Sequence, residues 1–209
     1  MSYTSNLLVV AAVCGNFWQE STVNPGIWEN LTVGAPGYGL GQWTDNAQVT
    51  RRSQLFNYLT LHGYQQDSGP GQLEFMIYEN IWLRTGAGGY QSQYTDLQDF
   101  LASSSNSLRD LTLEFCYCWE GIADGTETQR IQYAITIYDA LIADDGTRGP
   151  WISGNRYLSQ TEIVNNAKLI MDWLYSAPPP APGPTDEELV AILAKARKRG
   201  MKGGIILWK

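Results

Sequence analysis

Glu20 is the first acidic residue of the chain, and it follows Phe17 and Trp18 at the end of an apolar run. A carboxyl group taken out of water disfavours its charged form, and the negative end of a helix macrodipole adds to that effect. Glu20 is therefore expected to keep a proton near neutrality and to act as a general acid. Residues 34–43, GAPGYGLGQW, follow, with glycines at 37, 39 and 41 alternating with Tyr38, Leu40 and Gln42. Alternating glycine strips one face of an extended segment, so that a bulky ligand can approach the backbone. Tyr38 offers an aromatic face and Gln42 an amide that both donates and accepts, a combination that suits a sugar ring. Trp28 and Trp43 lie beside turns and complete the aromatic set expected at a cleft.

These residues need rigid elements to hold them. Leu7, Leu8, Val9, Val10, Ala11, Ala12 and Val13 leave no polar stripe, the mark of a helix buried on every side. That helix should run through Phe17–Ser21 and stop at the turn chemistry of Asn24, Pro25 and Gly26. Further helices are expected over residues 46–62, with Arg51 and Arg52 on it, and over 72–84. Capping patterns at Thr95 with Gln98, at Ser107, at Thr126 with Gln129 and at Ser159 with Glu162 start four more. The Ser107 helix carries Glu114, the aromatics 115, 117 and 119, and Glu120, and stops at Gly121. Glu120 is expected to be a solvated or structural residue, the alternative being a partner for an arginine or a cleft-rim residue, and residues 86–94, GAGGYQSQY, are expected as a flexible connection. Only residues 27–43 have hairpin character, so the fold class is mostly α (α+β) with a small β-hairpin wall.

Gly15, Asn16, Glu20, Ser21, Asn24, Pro25, Trp28, Gly37, Tyr38, Gly39, Leu40, Gly41, Gln42 and Trp43 together resemble the signature of the phage tail lysozyme family, peptidoglycan-cutting domains of the lysozyme superfamily. The Glu-Ser pair followed by Gly-Leu-Gly-Gln is also similar to goose-type lysozymes and soluble lytic transglycosylases. The likeness continues with less specific residues, among them Arg51, Arg52, residues 115–120 and Arg130, to about residue 175. It implies a lysozyme-like helical domain and hydrolysis of the β-1,4 bond between N-acetylmuramic acid and N-acetylglucosamine, with Glu20 protonating the leaving oxygen and no cofactor or metal. Glu29 lies nine residues after Glu20, a spacing similar to that between the two acids of small phage muramidases, where the second is an Asp. Asp45, just past the glycine segment, is the competing second acid. Lytic transglycosylase chemistry on the same bond and a non-catalytic wall-binding virion module are the alternatives.

Composition bounds the rest. A net charge of −7 argues against nucleic acid as a partner. Cys14, Cys116 and Cys118 are an odd number and form no disulfide framework, and a single histidine, His62, argues against an ordinary zinc site. No Lys or Arg precedes Arg51, so a signal peptide is not expected, and the apolar run is too short to span a bilayer. Residues 177–184, APPPAPGP, read as a stiff linker. Residues 1–184 hold eight basic and eighteen acidic residues, a net −10, whereas 185–209 hold six basic and three acidic, a net +3. The expected organisation is a catalytic domain over 1–176, the linker, and a basic helical tail. The partners are peptidoglycan glycan strands and, through the tail, other virion tail proteins. The expected location is the virion tail, or the host cytoplasm and then the wall.

Overall fold

In the computed structural model, residues 2–176 are described; the expected linker and tail lie outside them. The described chain runs α1 (Leu7–Ser21), β1 (Gly37–Tyr38), β2 (Trp43–Thr44), α2 (Arg51–Leu61), α3 (Gly69–Glu79), α4 (Leu97–Leu101), α5 (Leu108–Phe115), α6 (Glu127–Ile142) and α7 (Gln160–Ser176). It is mostly α with one small antiparallel hairpin, as expected. None of its helices is long and apolar enough to cross a membrane.

Helix α1 is the centre. Its residues Val9–Cys14 are fully buried, enclosed chiefly by α6, α5 and α7. Asn6 caps its start, accepting from the Leu8 amide at 3.0 Å, a contact of the kind that contributes about 1 kcal/mol. Gly15 lets α6 come close: a Cβ there would stand 2.7 Å from that of Ala134. Toward the end of the helix, Phe17 packs edge-on against Phe115 and Trp119. All three cysteines are free and buried. Burial pushes the Cys14 thiol up, and His62 stacks on Tyr58 at the end of α2.

The chain leaves α1 under strain. Thr22 and Val23 are both left-handed, at φ 54° and 55°, a conformation that β-branched residues resist. Cross-links hold it there. Ser21 Oγ donates to the Phe17 and Leu40 carbonyls, Thr22 Oγ1 accepts from the Leu158 amide, and Asn166 Nδ2 donates to the Val23 carbonyl. Asn24 Nδ2 reaches the carbonyls of Gly154 and Arg156. The irregular segment before α7 thus fastens the turn that follows Glu20.

Several boundaries differ from the sequence reading, each for a local reason. The helix expected from 46 begins at Arg51, because Asn46 Oδ1 accepts from the Gln48 and Val49 amides and holds that segment in a turn. Helix α3 starts earlier, where Ser68 Oγ accepts from the Gly71 amide, and ends earlier, at a left-handed Asn80. Asp96, and not Thr95, caps α4. The segment expected to be flexible is pinned: buried Glu114 accepts from Tyr90 Oη, Ser92 Oγ and the Gln93 amide. After Phe115 the Ser107 helix widens into a π-turn, Cys116–Glu120, before Gly121 stops it at φ 70°.

Candidate active site

A cleft of about 530 Å³ opens where the C-terminal end of α1 meets the hairpin and the start of α2. Glu20, Trp28, Glu29, Gln42, Arg51, Glu120 and Tyr157 line it. Chain positions more than a hundred residues apart meet here, so the tertiary fold alone assembles it.

Glu20 stands in the last turn of α1, but its surroundings differ from the apolar enclosure expected. Phe17 is turned into the core and Trp18 is stacked on Tyr133 at 4.5 Å. The carboxylate, 15% exposed, instead accepts from Arg130 Nη2 at 2.5 Å. Arg130 is 1% exposed, and a buried guanidinium must have its donors satisfied. Asn16 Oδ1 and Thr126 Oγ1 take two of them. Asn16 is itself fixed, donating to the carbonyls of Ala12 and Thr112. One turn of α1 therefore carries both the acid and the residue that orients its partner.

Glu120 has the environment predicted for Glu20. Burial first, then the negative charge of Glu20, push its carboxyl well above the usual carboxylate range, against the pull of Arg130 and Arg51. Its Oε1 is enclosed and has no hydrogen-bond partner.

The other candidates separate into two groups. Glu29, Trp28 and Gln42 reach the cleft. Glu29 Oε2 accepts from the Gly37 amide at 3.1 Å, tying this acid to the first strand of the hairpin. Gln42, left-handed at φ 44°, donates Nε2 to the Gly39 carbonyl. Asp45, Tyr38 and Trp43 do not line the cleft. Asp45 accepts from the amide and hydroxyl of Ser53 and from Arg52 Nη2; although burial opposes them, these contacts hold its carboxyl below the usual range. It organises the start of α2.

Tyr38 is 4% exposed, packed against Trp28 and Phe56, and burial pushes its hydroxyl up to about 12. Trp43 is fully buried between Phe75 and Trp119 and donates Nε1 to Glu79. Both are therefore core aromatics and not surface platforms. Two of the glycines make room for neighbouring side chains: a Cβ at 39 would meet Gln72 at 2.5 Å and one at 41, which also lines the cleft, would meet Trp119 at 2.4 Å. The exposed aromatic in the cleft is Tyr157, at 60%, which had no signal in the sequence. Arg51 pairs with Glu79 at 2.7 Å and lies over Trp119; Arg52 pairs with Asp45.

A profile of the phage tail lysozyme family matches residues 7–141. The chain belongs to that family. It is also similar to Morphogenesis protein 1 of Bacillus phage B103, with 27% identity over 127 residues, which is 58% of this chain and 31% of that protein. The chain thus matches less than a third of that relative's length. Membership agrees with the lysozyme-like helical fold and covers Glu20, Glu29, Glu120 and Arg130. Tyr157 and the residues that fasten the turn after Glu20 from 154 to 166 lie beyond the matched part of the family.

Proposed function

We propose that this chain cleaves the β-1,4 bond between N-acetylmuramic acid and N-acetylglucosamine in peptidoglycan, with Glu20 as the general acid. The observation that carries the reading is Glu20 at the end of the central helix, lining an open cleft that Glu29 also lines. In a glycosidase one carboxyl gives its proton to the leaving oxygen as the bond to the anomeric carbon breaks. The other steadies the oxocarbenium-like centre or takes a proton from the water that adds to it. Glu20 fills the first role and Glu29 the second; Asp45 is engaged with Ser53 and Arg52 outside the cleft. Trp28, Gln42 and Tyr157 supply the sugar contacts.

The test is mass spectrometry of purified walls after digestion by the full chain. New reducing ends on N-acetylmuramic acid support hydrolysis. Anhydro ends assign the bond cleavage to the sugar's own hydroxyl, the transglycosylase route. No new ends overturn both and leave a wall-binding module.

For delivery, we propose that residues 1–176 are the catalytic unit and that the net-positive tail beyond the proline-rich segment joins the unit to a phage particle. A net −10 before residue 185 offers no attraction to an anionic wall.

A further inference from the structure

Around Glu120 the acids outnumber the cations. Glu20 from α1, Glu79 from α3 and Glu120 from the π-turn face Arg51 from α2 and Arg130 from α6. Arg51 is committed to Glu79 through two hydrogen bonds, and Arg130 to Glu20. Glu120 is left over, and it is also the acid with an enclosed oxygen that has no hydrogen-bond partner. Ionised, that enclosed oxygen would lack both water and a donor, whereas a neutral carboxyl avoids most of the cost. The π-turn explains how it arrives there: one widened turn re-aims the side chains at the end of a helix, a device common at functional sites.

We infer that Glu120 is a positioning residue of the proposed reaction: it keeps the resting proton of the cleft and governs when Glu20 is protonated. This rests on the reading of Glu20 as the acid. Two carboxyls that line one cleft, with only Glu20 hydrogen-bonded to a guanidinium, cannot both ionise cheaply, so the pair holds its last proton as a unit. The alkaline limb of the pH–rate profile then belongs to the pair.

Glu120→Gln in the full chain tests this with three readouts. In infrared difference spectra, the carbonyl stretch of a neutral carboxyl present at pH 7 in the parent should vanish in the variant. In wall clearing, the alkaline limb should move toward acid by at least about one pH unit, the scale of a strongly interacting pair. In thermal unfolding, the variant should gain on the parent as pH rises above about 5, because a group whose folded value is raised stabilises only while protonated. A parent without the neutral-carboxyl signal, a signal that survives in the variant, or an unmoved alkaline limb overturns the inference. If the parent clears no wall at any pH, the reading of Glu20 falls by itself, and the infrared and unfolding data still decide whether Glu120 holds a proton.

Discussion

Replacing Glu20 by Gln keeps the side chain's size and an oxygen that can accept from Arg130, but removes the transferable proton and the charge. Arg130 Nη2 now lies 2.5 Å from Glu20 Oε1. Arg130 stays charged and still donates to the Gln oxygen, so what is lost is the attraction of opposite charges, worth between about 1 kcal/mol for an exposed pair and about 3–5 kcal/mol for a buried one. The side chain is 15% exposed, and water reached through the cleft should hold the cost near the lower end. For a domain of this size that is a drop in melting temperature of about 2–4 °C. The catalytic loss should be far larger. General acids contribute about 100-fold or more, equivalent to about 2.7 kcal/mol of barrier. The assay is the initial rate of turbidity loss with purified walls, run beside a melting curve. A folded variant that clears walls at more than half the parental rate refutes the assignment.

Other residues should separate in the same assay. Glu29→Gln should slow clearing by about tenfold or more, since it removes the second cleft carboxylate, with a melting temperature close to the parent's. Asp45→Asn should leave the rate within about twofold but lower stability by about 1 kcal/mol through the lost capping charge. Because the Asp45 carboxyl is held below its usual range, that deficit should be present at neutral pH and close as pH falls below about 4; a deficit that persists in acid contradicts this account. Tyr157→Ala should raise KM about three- to tenfold with kcat retained, the magnitude of one aromatic contact, and an unchanged KM would remove Tyr157 from the site. Gly41→Ala would place a Cβ 2.4 Å from the buried Trp119 ring and should cost about 1–3 kcal/mol of stability, whereas a variant that melts like the parent would return this glycine to a ligand-approach role. A chain ending at Ser176 should fold and clear soluble wall fragments like the full chain, yet fail to join phage particles; loss of folding or cleavage would move the proposed boundary.

Patterns that depend on neighbours in sequence were legible without coordinates. An unbroken apolar run marks an element surrounded on every side, and residues 9–14 are indeed fully buried. Ser107 accepts from the Asp110 amide and Ser159 bonds Glu162, because caps are satisfied within one turn. The hairpin likewise spans few residues. Glycine alternation was also visible, but its purpose was not: spacing shows which side chains are missing and cannot show whether the space receives a ligand or, as here, Gln72 and Trp119. The same limit moved Tyr38 and Trp43 from the cleft into the core.

The sequence by itself therefore determined the family, the mostly helical class, the buried first helix and the placing of Glu20 at its end. Charge environment was decided only by the tertiary structure. Arg130 arrives from a helix 110 residues away, and the enclosure of Glu120 depends on a π-turn that helical periodicity does not announce. Ionisation energies fall off over a few ångströms of three-dimensional distance and depend on burial. The sequence could name the acids in the cleft, but which of them is paired and which is left enclosed was settled when the helices packed.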